Sequence, residues 1–220
     1  MGDYKFLLEK SAAVLLVLFY MNSIFIFLSP EVFTALETLV PIVLLSVVVC
    51  IDVAIRSVSN QSDRFSRATV GLAFLLFPLM VAFPYYEWKF FLSTYIPDFL
   101  FYMLNIGVAV LLIGAAILLV SRVQIGIYGG SKITIEESHR LITEGMYSHI
   151  RNPQYLGFIL LFAGYSVSLG SLIVSVVTVV GLFIVFRSRL LLEEKLLLET
   201  FGEEYAEYLR RTKRLLPRVY

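Results

Sequence analysis

Apolar residues recur in this chain in unbroken runs too long for the interior of a water-soluble domain of its size. A hydrocarbon layer about 30 Å thick is crossed by about 20 mostly apolar helical residues. Four stretches reach that length, at 11–29, 32–55, 68–86 and 99–121. Of the 220 residues, 59% are hydrophobic and 16% charged, against roughly 25% charged in soluble domains, so the apolar excess faces lipid. A fifth apolar region, 153–187, is too long for one span and is interrupted at Gly170-Ser171. Glycine suits the end of one helix and serine caps the start of the next, which predicts a helical hairpin. Each arm has roughly 16 residues and hence about 24 Å of length, short for a full crossing, so the hairpin is either re-entrant or seated in a locally thinned bilayer. The expected fold is all-α: a polytopic transmembrane bundle of four spans plus a C-terminal hairpin and cytoplasmic C-terminal helices. It forms one integral domain, with the N-terminal spans in 1–121 and the loop, hairpin and tail in 122–220.

Loop charge orients the bundle. Arg56, Arg64, Arg67, Arg122, Lys132, Arg140, Arg151 and the basic tail from Arg187 onward fall on one side with Lys5 and Lys10; Lys89 alone falls on the other. Lys and Arg beside span ends mark the cytoplasmic face, so both termini are expected inside, in the cell membrane of a prokaryote or the endoplasmic reticulum of a eukaryote. No small-residue cleavage site follows the first apolar run, which reads as a retained span. A formal net charge of +1 gives no electrostatic case for a nucleic-acid partner. The single cysteine, Cys50, has no partner for an internal disulfide, and the only histidines, His139 and His149, lie in no metal-ligand spacing, so no metal is expected. Glu37 and Asp52 are carboxylates within apolar spans. Such groups are functional candidates by default, yet Asp52 is near enough to the inner end to reach water, and the structural reading is preferred for both.

Chemistry-bearing residues concentrate in the last 90 positions. Asn152-Pro153 opens the hairpin, with asparagine a strong N-cap and proline suited to the first helical position. The free N–H groups of that helix start attract an anion or a carboxylate. Arg151 either adds a planar donor fork to that site, as a substrate-binding residue, or is a positive-inside anchor. After the hairpin, Arg189 and Glu193 are four apart and share a helical face. Leu198, Phe201, Tyr205 and Tyr208 form an apolar stripe, with Gly202 ending one helix before a shorter one. Glu194, Glu199, Glu203 and Glu207 read as a solvated face.

Taken in order, these segments resemble the isoprenylcysteine carboxyl methyltransferase family. The matching pieces are His139-Arg140-Leu141-Ile142, Gly145-Met146-Tyr147, Arg151-Asn152-Pro153-Gln154-Tyr155, Arg189, Glu193-Glu194 and Phe201-Gly202 with Tyr205 and Tyr208. The match covers about 138–210; no single piece is specific, but the ordered set is. The resemblance implies an S-adenosyl-L-methionine pocket lined by His139, Arg140, Leu141, Ile142, Tyr147, Asn152, Pro153, Gln154, Tyr155 and Glu193, with Arg189 at the acceptor. Arg189 and Glu193 are the residues expected to carry catalysis. One departure stands out: Asn152 occupies the family's usual histidine position and cannot titrate.

The implied reaction is methyl transfer at the cytoplasmic membrane face to a lipophilic acceptor, best matched by the carboxylate of a prenylated cysteine or a similar lipid-like acid. A carboxylate is already ionised and needs no general base. Phospholipid-amine or thiol acceptors are the alternatives within this chemistry, and would call on Tyr147 or Glu193 to accept a proton. A membrane sterol reductase using a nicotinamide cofactor is the alternative outside it. Expected partners are the lipophilic or prenylated substrate and membrane lipid.

Overall fold

The computed structural model describes residues 2–55, 77–92, 99–126 and 141–216. Helices α1 (Gly2–Leu28) and α2 (Leu36–Ile55) are joined through a 3-10 turn, Pro30–Phe33. Helix α3 (77–87) runs into a π-helical turn, Trp88–Leu92. There follow α4 (Phe99–Ile125), a 3-10 turn (Gly145–Ser148), α5 (Pro153–Ser168), α6 (Leu172–Phe201) and α7 (Glu203–Arg211). No strand occurs among the described residues; Ile150 and Lys213 share an isolated parallel bridge. The all-α expectation holds. Among the described residues, four segments are long and apolar enough to cross a membrane, at Lys10–Leu28, Leu36–Ile55, Leu100–Ile125 and Leu172–Phe201. Only the end of the third expected span, from residue 77, lies within the described residues.

The hairpin forms at Gly170, whose φ of +73° favours glycine. Its arms are unequal. The first has 16 residues, as expected, but the second continues without a break past Arg187 to Phe201, 30 residues in all. At about 1.5 Å per residue α6 is about 45 Å long, roughly 15 Å more than the hydrocarbon layer needs. Ile173, Val176, Val177, Val180 and Ile184 are exposed along it and form a lipid-facing stripe. Ser171 does not cap α6 with its side chain. The Glu87 carboxylate does so instead, accepting from the N–H groups of Ile173 (3.1 Å) and Val174 (2.8 Å) and from the Ser171 hydroxyl. A full negative charge there is a better match to the helix dipole than a hydroxyl.

Packing is closest between α4 and α5. An added Cβ at Gly107 would lie 2.1 Å from the Ser168 backbone nitrogen, at Gly114 2.4 Å from that of Leu161, at Gly157 2.7 Å from that of Leu118, and at Gly164 2.3 Å from that of Leu111. Glycines seven apart on both helices thus let the two backbones touch, as small residues do where lipid removes the hydrophobic drive between helices. Around this seam lies a core that includes Met21, Phe25, Leu45, Leu111, Leu118, Leu161, Phe162 and Tyr165. The buried Tyr165 hydroxyl donates to the Val81 carbonyl (2.7 Å) and so ties α5 to α3.

The two ends of the bundle differ in their polar groups. At the hairpin end, Glu31 pairs with Lys89 at 2.6 Å, and Glu37 is exposed in the first turn of α2. At the other end, Lys10 donates to the Ala54 carbonyl (2.5 Å). Asp52 does not reach water. It is buried and accepts from the Arg122 Nε–H at 2.8 Å, because the last turn of α4 lies against the end of α2. Arg122 is accordingly a buried helix residue and not a loop anchor.

Candidate functional site

At this second end the loop before α5, the start of α5 and the later part of α6 converge. Helical side chains lean toward their own N-terminus. Tyr155, in the first turn of α5, therefore leans out toward the bundle end, whereas Glu193, far along α6, leans back toward the bundle. They meet: the Tyr155 hydroxyl stands 2.7 and 2.8 Å from the two Glu193 carboxylate oxygens. Arg189, one turn earlier on α6, donates its Nε–H to the same carboxylate at 2.8 Å. Arg189 is 13% and Glu193 23% exposed, so the pair is mostly withdrawn from water yet still accessible. The Tyr155 ring stacks on Phe186 (centroids 4.6 Å apart, 21° between planes), and Phe158 meets Phe186 at 6.2 Å. An apolar wall thus runs from the charged cluster along the α5–α6 groove.

Tyr147 comes from the 3-10 turn in the loop. Its buried hydroxyl accepts from Gln154 Nε2 (3.2 Å), in the first turn of α5, and donates to the Ser121 carbonyl (3.3 Å). Burial pushes this hydroxyl's pKa well above the usual tyrosine value. Leu141 and Ile142 are half-buried beside the turn; His139 and Arg140 lie outside the described residues.

Asn152 and Arg151 make bonds that the sequence did not foretell. Asn152 occupies the N-cap position of α5 with Pro153 next, but its side chain makes no capping bond. Its Nδ2 donates to the Arg214 carbonyl at 3.2 Å, and its own N–H goes to the same oxygen at 3.1 Å. Arg151 faces the tail rather than the helix start. Its Nε–H donates to Glu194 (3.0 Å), Nη1 to the carbonyls of Leu209 (3.2 Å) and Thr212 (2.5 Å), and its N–H to Lys213 (2.8 Å). Glu194 is correspondingly not a solvated residue. It is 12% exposed and bridges Arg151 to Arg214, whose Nη2 lies 2.9 Å away. Glu199 and Glu203, by contrast, are exposed as expected. The Tyr208 hydroxyl closes this clasp by donating to the Tyr147 carbonyl at 2.6 Å. Tail residues 212–214 therefore hold the 150–152 segment of the loop in place.

The pairing of Asp52 with Arg122 and the seat of Met146 on Gln124, whose Oε1 accepts the Met146 N–H at 3.0 Å, went unread in the sequence. Both link positions far apart in the chain, and no local pattern signals them.

The phospholipid methyltransferase family model matches residues 102–204. Protein-S-isoprenylcysteine O-methyltransferase B of Arabidopsis thaliana is 38% identical over 88 residues, which are 40% of this chain and 45% of that protein. The Homo sapiens protein-S-isoprenylcysteine O-methyltransferase is 37% identical over 81 residues, 37% of this chain and 28% of that one. The chain thus aligns with less than half the length of these curated relatives. Its fold resembles that of the eukaryotic intramembrane Ras methyltransferase, isoprenylcysteine carboxyl methyltransferase, with a TM-score of 0.56 at 17% identity over 95% of this chain and 86% of that one. These matches bear out the resemblance to the isoprenylcysteine carboxyl methyltransferases read in the sequence, and the chain is an integral, multi-pass membrane protein.

Proposed function

We propose that this relative of the isoprenylcysteine carboxyl methyltransferases moves a methyl group from S-adenosyl-L-methionine to the carboxylate of a lipophilic acceptor, in the first place a prenylated cysteine. The observation that carries this reading is the Tyr155–Glu193–Arg189 cluster beside the start of α5. The donor set suits the cofactor. A carboxylate held by Tyr155 and Arg189 offers a counter-charge for an ammonium or sulfonium, and the α5 start offers backbone N–H groups for a carboxylate. The buried ring of Tyr147 provides an apolar wall. Tyr147, Asn152, Pro153, Gln154, Tyr155 and Glu193, with Leu141 and Ile142, would hold the cofactor, and His139 and Arg140 belong to the same proposal. When bound, the cofactor supplies an electrophilic methyl on sulfur.

What the chain contributes is placement, which by itself accounts for much of the rate in a displacement of this kind. Arg189, its guanidinium plane set by the bond to Glu193, orients the acceptor carboxylate. The wall of Phe186 and Phe158 takes the apolar body of an acceptor arriving from lipid. A neutral, buried Tyr147 is a poor proton acceptor near neutral pH. That supports an acceptor that is already ionised over an amine or thiol. The site end also carries Lys10, Arg151 and the basic tail, with Lys89 at the opposite end; this distribution supports a cytoplasmic site and both termini inside.

The test is binding of S-adenosylhomocysteine and of NADPH to the purified chain, with Glu193→Ala alongside. Binding of the first ligand, weakened at least about tenfold by the substitution, is expected. Preference for NADPH sinks the methyltransferase reading, and unchanged affinity in Glu193→Ala rejects the role of that carboxylate. Transfer of labelled methyl to prenylcysteine, phospholipid and thiol acceptors then identifies the acceptor class.

A further inference from the structure

One buried ion pair links the N-terminal spans to the wall of this site. Asp52 lies in the last turn of α2 and Arg122 in the last turn of α4, with both side chains 4% exposed and 2.8 Å between Nε and Oδ1. Withdrawing two charges from water is costly, and apolar side chains of like volume hold helices together as well or better. Leu45, Val48 and Val49 already do that for α2. The pair therefore calls for a role beyond fastening.

Its surroundings supply one. Next to Arg122, the Ser121 carbonyl accepts from the Tyr147 hydroxyl at 3.3 Å, and two residues on, Gln124 Oε1 accepts from the Met146 N–H at 3.0 Å. The last turn of α4 is thus the bed on which the Gly145–Ser148 turn lies. The fit is tight: Gly145 has φ +60°, and a Cβ there would lie 2.4 Å from the Gln124 amide. Arg122 is close enough to Tyr147 for its charge to act on the hydroxyl. The same hydroxyl receives Gln154 Nε2 from the first turn of α5.

We propose that Asp52 and Arg122 are a positioning pair: Asp52 fixes Arg122 and with it the last turn of α4, which seats Tyr147 in the cofactor wall. The proposal rests on the methyltransferase reading. It brings into the site a residue from the part of the chain, before 102, that the family model does not match.

The experiment uses the full chain in lipid nanodiscs, measuring S-adenosylhomocysteine affinity by calorimetry and the thermal unfolding midpoint in parallel. Asp52→Asn is expected to weaken binding about tenfold, the scale on which groups that orient ligand-binding residues act. Glu31→Gln, in the ion pair at the far end of the bundle, is expected to change nothing. Replacing both partners, Asp52→Leu with Arg122→Met, leaves no orphaned charge and is expected to restore the midpoint but not the affinity. In a Tyr147→Phe background, Asp52→Asn is expected to cost less than about twofold further, since the two act along one line. Wild-type affinity in the doubly neutral variant, or an Asp52 effect of equal size with and without the Tyr147 hydroxyl, overturns the proposal. Should the doubly neutral variant not fold, the Asp52–Tyr147 cycle decides alone. A wild-type chain that binds no S-adenosylhomocysteine overturns the methyltransferase reading and this proposal with it; one that binds it with Asp52→Asn unaffected overturns this proposal only.

Discussion

Helix α5 meets α4 and α6 by different means. Against α4 it presents Gly157 and Gly164, with Gly107 and Gly114 facing back, so that backbone lies on backbone. Against α6 it presents Tyr155 and Phe158, which reach Phe186 and Glu193 through long side chains. The first seam has no adjustable part and fixes where α5 begins relative to where α4 ends. The second keeps the helices apart by the width of a ring and fills the gap with groups that can hold a ligand. A single helix thus carries a rigid reference on one face and working groups on the other. Binding sites demand this pairing, because side chains can be placed to a fraction of an ångström only if their support does not move.

That contrast can be broken most severely at the glycine seam. Gly164→Leu puts a side chain where a Cβ alone would lie 2.3 Å from the Leu111 backbone nitrogen, and should cost about 3 kcal/mol or more. The expected result is loss of monodisperse protein after detergent extraction, or a large fall in the thermal midpoint. On the α6 face the same assay should register little, and activity should register much. Arg189→Lys keeps the charge but not the planar fork that meets Glu193, and should lower turnover about 100-fold with the midpoint nearly unchanged. A midpoint that falls as far as in Gly164→Leu would show that both seams are structural. Tyr155→Phe is gentler: it removes the hydroxyl that bonds Glu193 while keeping the ring on Phe186. Loss of a bond to a charged group predicts cofactor affinity about tenfold weaker.

The smallest effect is one of pH. Burial pushes the Tyr208 hydroxyl up to about 12 from its ordinary value of 10.0, with Arg151 opposing, and Tyr147 and Tyr205 are raised in the same direction by burial. A folded-state value above the unfolded one means stability that is complete below pH 10 and is lost as pH climbs toward 12. The thermal midpoint should be flat from neutral pH to about 9 and fall beyond it, and Tyr208→Phe should soften the fall.

The spans, the hairpin and the Arg189–Glu193 face were legible in the sequence because each is a local pattern. Length in apolar residues reports a crossing, Gly170 reports a turn, and a spacing of four reports one helical face. The residues whose bonds the sequence did not foretell are those whose partners lie far along the chain. Asn152 has the residue type of a cap, yet Arg214, 62 positions later, takes its side chain. Arg151 has the type of an anion ligand, yet Glu194 and the carbonyls of the tail occupy it. Asp52 sits where a span end meets water, but Arg122, 70 positions away, encloses it. In each case local chemistry named the right kind of bond and tertiary packing chose a different partner. Resemblance to a family supplied the grouping of Tyr147, Tyr155 and Glu193 that neither periodicity nor charge could provide.

Helix α6 has a mechanical consequence. It is gripped at its start by Glu87 and carries Glu193 about 32 Å further on, at about 1.5 Å per residue. As a lever of that length, it converts a tilt of about 5° into roughly 3 Å of travel at the carboxylate, more than its bond to Tyr155 can span. Helices longer than the local hydrocarbon answer a change in bilayer thickness by tilting, so the alignment of Glu193 with Tyr155 is set in part by the thickness of the membrane the protein inhabits.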